Sequence, residues 1–436
     1  MTLAEKTQKT FAGMEPTLSC RPTIKKERLP TNTTTYKHPV HRWYNFIAGF
    51  SPEFVGLCLD TLQIAPELYL DPFAGCATGP LAAVARGIEA VGYEPHPIMA
   101  KVARAKLPGA DAVERLDQIE HAILAGLRKP LPSSTLPFAP KNFLRKLFPE
   151  ESLAVLLGAR ASLEERGLSA DDLAFLVLSK ILDLSSHSQT DGIYKAPTSR
   201  KTAIPPTVAA KKTLDMVRHD LARLPSPYAP LSRLYEKSSE QMTEVADSSV
   251  DIVVTSPPYL NNFDFAEMTR MYLYFWGIAA SWGEITDKVR SKLVVNTTTA
   301  LKGQKEKQEE YRANLPAVLY AELDGLVSSL ADQRKTRAGK KEYDYLVYPY
   351  FSQVTNVLRE CYRCLKQGAA IHVMVADAAL YGIHISTPQL LANLLAVIGF
   401  HQTSCDLIRK RGHRWILDKR DGSERGLGEY HVSATK

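Results

Sequence analysis

Three short stretches of this chain carry side chains that a folded core alone would not favour. The first, "DPFAGCATGP" from Asp71, ends an apolar run with a carboxylate and then turns through Gly75. A glycine-containing turn between a strand and a helix lets a ligand approach the backbone at the carboxyl edge of a sheet, the usual binding crevice of open α/β folds. The second is Glu94, which closes the next apolar stretch about 20 residues on, where an acidic side chain can accept hydrogen bonds from both hydroxyls of a ribose. The two together point to an adenosine-containing ligand. The turn lacks a Gly-Lys-Ser/Thr ending, which sets nucleoside triphosphates aside. The third is "TSPPYLNNFDF" from Thr255, directly after the apolar run at 250–254. Two consecutive prolines remove two backbone donors and hold Ser256 extended, so the chain gives up ladder hydrogen bonds there. Something other than local stability must favour that ending.

The elements that must position these residues follow a strand–helix rhythm. "FVGLCLDTL" reads as a helix, "ELYLDPFAG" as a strand entering a turn, "PLAAVARGI" as a helix, "EAVGYEPHP" as a second strand and "IMAKVARAKL" as a helix. This alternation is the signature of a parallel, doubly wound sheet. It stops between about 107 and 230, where amphipathic helices such as "ESLAVLLGARASLEERGLSADDLAFLVLSKILDL" take over. It resumes at "LSRLYEKSSEQM" and "SVDIVVTSPPY", passes a polar, helix-rich segment at 277–345, and finishes with "YFSQVTNVLRECYRCL", "AAIHVMVADA", "TPQLLANLLAVIGF" and "HQTSCDLIRK". The expected organisation is a basic arm at 1–37, a sheet domain at 38–106 and 231–436, and a mainly helical insertion at 107–230.

The length of 436 residues leaves ample chain for a core, and a hydrophobic share of 45% with 23% charged residues is that of an ordinary globular protein. No stretch approaches the ~18 apolar residues of a membrane span. No secretory signal is evident, and six cysteines make no disulfide framework, so a reduced, cytoplasmic setting is expected. Cys361 and Cys364 form the one C-x-x-C pair, but they sit in a helical pattern with no second pair nearby, which reads as ordinary helix. The net charge of +7 permits a polyanionic partner without demanding one. Residues 186–212 hold five Lys or Arg, including Lys195, Arg200 and Lys201, against the single Asp191. Such a loop suits a phosphate backbone, and a solvated surface remains the alternative. The same two readings hold for the arm and for "IRKRGHRWILDKR" near the C-terminus.

The Asp-Pro-Phe-x-Gly turn, the acid closing the second strand, and Ser-Pro-Pro-Tyr after an apolar strand resemble the amino-methyltransferases of DNA. "HRWYNFIAGFSPEFV" is similar to the segment that precedes the cofactor turn in that family. The resemblance covers roughly 38–106 and 231–415. It implies a class I methyltransferase fold, a Rossmann-like sheet with a helical insertion, and S-adenosylmethionine as cofactor. Asp71, Phe73, Gly75 and Thr78 would hold the methionine part, Glu94 the ribose, and Phe50 and Pro52 the pocket wall, with Ser239 beside the adenine. Ala77 departs from the family, which usually has a second glycine there.

Ser256, Pro257, Pro258 and Tyr259 match the family's catalytic tetrapeptide. An exocyclic amino nitrogen is a poor nucleophile because its lone pair is delocalised into the ring. Accepting hydrogen bonds from both of its N–H groups frees that pair, a task for the Ser256 hydroxyl and the Pro257 carbonyl, while Tyr259 stacks on the base. The base must be flipped out of the duplex, at a cost of about a few kcal/mol that stacking helps to offset. Neither a metal nor a covalent intermediate is needed. Ser rather than Asp at the first position is more often found in the family's cytosine-N4 members, so the resemblance implies cytosine N4, with adenine N6 as the alternative. RNA or protein-glutamine methyltransferases and a catalytically silent nucleic-acid-binding protein are the rivals. The motif order makes 107–230 the first candidate for target recognition and 277–345 the second. DNA is the expected partner, and a cognate restriction enzyme is compatible with the resemblance.

Overall fold

The computed structural model describes residues 32–46, 48–190, 195–336, 340–410 and 427–436. The first two sheet strands are β1 (Leu68–Asp71) and β2 (Glu89–Tyr93), joined by the helix Thr78–Val84. A hairpin, β3 (Ser188–Thr190) and β4 (Lys195–Arg200), lies within the helical segment. Next come β5 (Ser232–Tyr235), β6 (Val250–Thr255) and β7 (Leu365–Ala376), then a small hairpin of β8 (Ala378–Leu380) and β9 (Ile383–Ile385), and finally β10 (His401–Lys410) and β11 (Gly428–Thr435). The seven-stranded sheet has the order β10-β11-β7-β6-β1-β2-β5. β5, β2, β1, β6 and β7 are parallel, and β11 runs antiparallel between β7 and β10.

Central parallel strands are covered on both faces, which calls for continuous apolar runs rather than alternation. β6 meets that demand: Val250, Ile252, Val253 and Val254 are all fully buried. Ile252 and Val254 point into one core and Val253 into the other, so the sheet separates two hydrophobic layers. The first layer holds the helices Pro52–Leu59, Thr78–Val84 and Pro97–Ala105, and the second holds Val347–Cys364 and Thr387–Ile398. Cys361 and Cys364 are buried in the former of these last two helices.

Local chemistry fixes several helix starts. Ser51 caps Pro52–Leu59 by accepting from Phe54 N, and Pro52 occupies the first turn, where its missing N–H costs nothing. Asp171 caps Asp172–Ser185 by accepting from Ala174 N at 2.9 Å. The segment 107–230 holds the helices Ala112–Leu127, Phe138–Leu144, Glu150–Glu165, Asp172–Ser185 and Pro206–Leu221, whose apolar faces join the first core. It is fused to the sheet domain rather than hung from it. Fully buried Asp220 accepts from Val40 N, Arg42 Nε and Trp43 Nε1 at 2.9–3.0 Å. Asp172 accepts from Arg104 Nε at 2.6 Å.

Residues 277–345 contribute the helices Trp282–Lys288, Gln308–Asn314 and Tyr320–Thr336, and bury Val295, Leu301, Leu315, Leu323 and Leu330 in the second core. Among the described residues no helix is long and apolar enough to cross a membrane.

The strand order reverses direction between β1 and β6. In open α/β sheets the ligand crevice opens at the carboxyl ends of the strands flanking such a switch point. Asp71 ends β1, and Ser256 follows the last residue of β6.

Candidate active site

Parallel pairing sets Leu70 opposite Val253, which brings the ends of β1 and β6 together. Asp71 is completely buried, and its Oδ1 accepts from Thr255 Oγ1 at 2.6 Å and from Phe73 N at 3.1 Å. The turn residue and the strand leading into Ser256 are therefore joined side chain to side chain. Oδ2 of Asp71 is buried with no hydrogen-bond partner among the described residues. Burial pushes this carboxyl up to about 7, even though the Thr255 hydroxyl and the Phe73 N–H pull it down. A buried acceptor left open costs about 1–3 kcal/mol, more if charged, so this oxygen is arranged for a donor the protein does not supply.

The turn itself is left-handed at two places, Gly75 with φ +52° and Ala77 with φ +60°. Gly75 takes this at no steric cost. Ala77, where the resemblance calls for a second glycine, takes the left-handed turn at the expense of local strain. Gly79 is required for a different reason. A Cβ there would lie 2.0 Å from Tyr69 Oη, which donates to Val254 O at 2.8 Å and braces β1 against β6.

Glu94 continues from β2, its N–H donating to Tyr235 O at 2.9 Å, and is 8% exposed. Oε1 accepts from His96 N at 2.7 Å. Burial pushes the Glu94 carboxyl up to about 8; the His96 and Gly75 N–H groups oppose this, and the charge of Asp71 adds to it. His96 caps the helix Pro97–Ala105 by accepting from Ile98 N at its Nδ1. Burial lowers its pKa to about 4, so the ring is neutral and Nε2 carries the proton, donated to Thr269 Oγ1 at 2.9 Å. A hydrogen-bonded path thus runs from the Glu94 carboxylate to the helices that follow the tetrapeptide.

Thr78 is buried at the start of its helix, and Phe73 is half-buried beside the turn. Phe46 packs its ring against Gly75 and Gly49, bringing the segment that carries Phe50 and Pro52 to the turn. Phe50 is buried edge-on to Phe54. Ser239 is buried beyond the end of β5.

Pro257 is buried, whereas Ser256, Pro258 and Tyr259 are half-buried. The loop after them is held by Asn296, a residue that sequence spacing gave no signal for. Its Nδ2 donates to Phe263 O at 2.9 Å and to Tyr259 O at 3.3 Å, and its backbone carbonyl accepts from Asn261 N at 2.6 Å. Asn261 takes a left-handed φ of +51°, which asparagine tolerates better than most residues. Asp264, in the same loop, is committed to structural bonds. It caps the helix Phe265–Met268, accepts from Thr299 Oγ1 at 2.8 Å, and pairs with buried Arg290, whose Nε lies 3.0 Å from Oδ2. Arg290 in turn stacks on Trp282 at 4.2 Å. The aromatics that follow are core: Tyr272 and Phe275 are buried, and Trp276 donates to Ser179 Oγ at 2.9 Å.

Lys195 and Arg200 lie on β4, which pairs with β3 in a two-stranded sheet separate from the seven-stranded one. Lys201 donates to the Asp183 carbonyl at 2.8 Å, so its ammonium is engaged within the insertion. The arm at 1–31 and residues 411–420 of the C-terminal basic stretch lie outside the described residues.

A mainly parallel seven-stranded sheet, with its last strand antiparallel beside β7, is the arrangement of a class I methyltransferase fold. No family model matches the chain. It is similar to the Type II methyltransferase M.BsoBI of Geobacillus stearothermophilus, 22% identical over 417 residues that cover 85% of this chain and 81% of that protein. It is equally similar to the Type II methyltransferase M.AvaI of a Nostoc strain, 22% identical over 392 residues covering 83% and 79%. The share of this chain left uncovered is smaller than the segment 107–230, so the similarity reaches into that insertion.

Proposed function

We propose that this chain is a DNA methyltransferase that uses S-adenosylmethionine and modifies the exocyclic N4 of cytosine. The observation that carries the reading is the joint at the switch point, where a buried carboxylate with an open oxygen, Asp71, is hydrogen-bonded through Thr255 to the strand presenting Ser256 and Pro257. The residues fit the cofactor. Asp71 Oδ2 suits the ammonium of its methionine part, Glu94 suits the ribose hydroxyls, and burial raises both carboxyls. When bound, the cofactor supplies an electrophilic methyl group on a sulfonium.

The chain's own work is then orientation. The Ser256 hydroxyl and Pro257 carbonyl accept the two amino hydrogens of the base, directing the nitrogen lone pair at the methyl. Pro258 holds the buried Pro257 extended, so the Pro257 carbonyl direction is set before the base arrives. Tyr259 stacks on the base, and the Asn296 hydrogen bonds fix the loop that carries it. Ser256 at the first position favours cytosine over adenine.

Residues 107–230 are the proposed target-reading region, and Lys195 and Arg200, on β4, are proposed as phosphate contacts. A cytoplasmic setting and a cognate restriction enzyme belong to the same reading. In a tritium-transfer assay, Ser256→Ala and Tyr259→Ala abolish turnover while the affinity for S-adenosylmethionine stays within about twofold. Full activity in either variant refutes the assignment of the tetrapeptide.

A further inference from the structure

On the sheet face beneath the helix Pro52–Leu59, three side chains outside the crevice converge: Cys58, His372 and His431. Each offers a ligand atom, and these atoms all lie within 4.8 Å of one another. Cys58 is 2% exposed and His372 8%. The two histidines stand on neighbouring antiparallel strands. His431 lies opposite Met374 and His372 opposite Ser433, so the rings are diagonal neighbours on one face. Nδ1 of His372 and Nε2 of His431 are 3.0 Å apart. Cys58 descends from the last turn of the helix, and Phe54, one turn earlier, stands edge-on to His431 with ring centroids 5.2 Å apart.

We propose that Cys58, His372 and His431 form a site for a divalent ion of the zinc class, tying the helix Pro52–Leu59 to β7 and β11. One thiolate and two neutral imidazoles are a donor set that suits zinc over magnesium or calcium, and three protein ligands leave a fourth position for water. The spacing is close to what such an ion needs. With zinc–nitrogen bonds of about 2.0–2.1 Å, tetrahedral geometry sets two nitrogens about 3.3–3.4 Å apart. The histidine pair therefore opens by only a few tenths of an ångström, and Cys58 swings inward to reach a bond of about 2.3 Å.

The protons balance simply. Burial holds the Cys58 thiol well above its ordinary value, so without an ion it is protonated. Binding replaces the S–H bond by a sulfur–metal bond and releases that proton to solvent. The proton between the two rings moves to the far nitrogen of its own ring. This site is separate from the one that would carry methyl transfer, and it stands or falls independently of that reading.

The test uses the full-length chain purified without chelator. Metal content is measured by mass spectrometry, and Zn²⁺ and Co²⁺ are titrated into chelator-treated protein. The expected result is about one ion per chain, with a thiolate-to-cobalt absorption band, and uptake weakened about tenfold or more in Cys58→Ser and in His431→Gln. Circular dichroism checks that both variants remain folded. Protein that contains no ion and takes up neither metal overturns the proposal and leaves the histidines as a hydrogen-bonded pair. Undiminished uptake by both folded variants overturns it as well, because the ion then sits elsewhere.

Discussion

Replacing Asn296 by alanine should uncouple catalysis from cofactor binding. The Asn296 amide makes two hydrogen bonds, to the carbonyls of Phe263 and Tyr259, and the residue is 4% exposed. Each such bond contributes about 0.5–1.5 kcal/mol net, and a buried carbonyl left unsatisfied costs about 1–3 kcal/mol. Removing the amide therefore costs the loop about 2–4 kcal/mol in its native arrangement. If half of that is lost from the transition state, the rate falls about 5- to 30-fold, since each 1.36 kcal/mol is a factor of ten. Asn296→Asp keeps the volume but replaces the donor by an acceptor facing two carbonyls, so it should fall at least as far. The assay is single-turnover methyl transfer to DNA at saturating cofactor, with cofactor affinity measured separately by calorimetry. The reasoning is refuted if Asn296→Asp matches the wild-type rate, because volume rather than hydrogen bonding would then be what the loop requires.

Two further outcomes follow from the crevice. Asp71 and Glu94 accept donors best when ionised, and burial has raised them to about 7 and about 8. Cofactor affinity should therefore rise tenfold or more as pH goes from about 6 to about 9. Stability of the ligand-free protein runs the other way. The folded state keeps protons that the unfolded chain has lost above about pH 4, so stability falls as pH rises toward 8 and then levels, and thermal melts with and without cofactor should diverge across that window. Gly79→Ala would set a Cβ 2.0 Å from Tyr69 Oη and should destabilise the fold by about 1–3 kcal/mol in denaturant unfolding. Gly325→Ala, in the helix Tyr320–Thr336 with nothing within 4 Å of its Cβ, should stabilise it by up to about 1 kcal/mol.

What could be read from sequence was what is encoded locally. The Asp71 turn, Glu94 at a strand end and the Pro257–Pro258 pair are each recognisable within a few residues, and the strand–helix rhythm around them gives a doubly wound sheet. What escaped depends on segments that meet only on folding. Asn296 lies 37 residues beyond Tyr259, and nothing in "VVNTTT" marks it. The Thr255 bond to Asp71 spans 184 residues and requires the pairing of β1 with β6. The path from His96 to Thr269 is invisible for the same reason. Asp264 looks like a free acid beside the motif, but it caps a helix and bonds to Arg290, which lies 26 residues further on. The insertion showed its helices through periodicity, but not that Asp220 and Asp172 anchor it to the sheet domain.

The central claim is that Ser256, Pro257 and Tyr259 present a DNA cytosine to the methyl group of S-adenosylmethionine. Its most direct test is mass spectrometry of nucleosides from DNA incubated with the full chain and methyl-labelled cofactor. Labelled N4-methylcytosine is the predicted product, and it should vanish with Ser256→Ala. Labelled N6-methyladenine would contradict the choice of base, and an absence of any labelled nucleoside from DNA would contradict the claim itself.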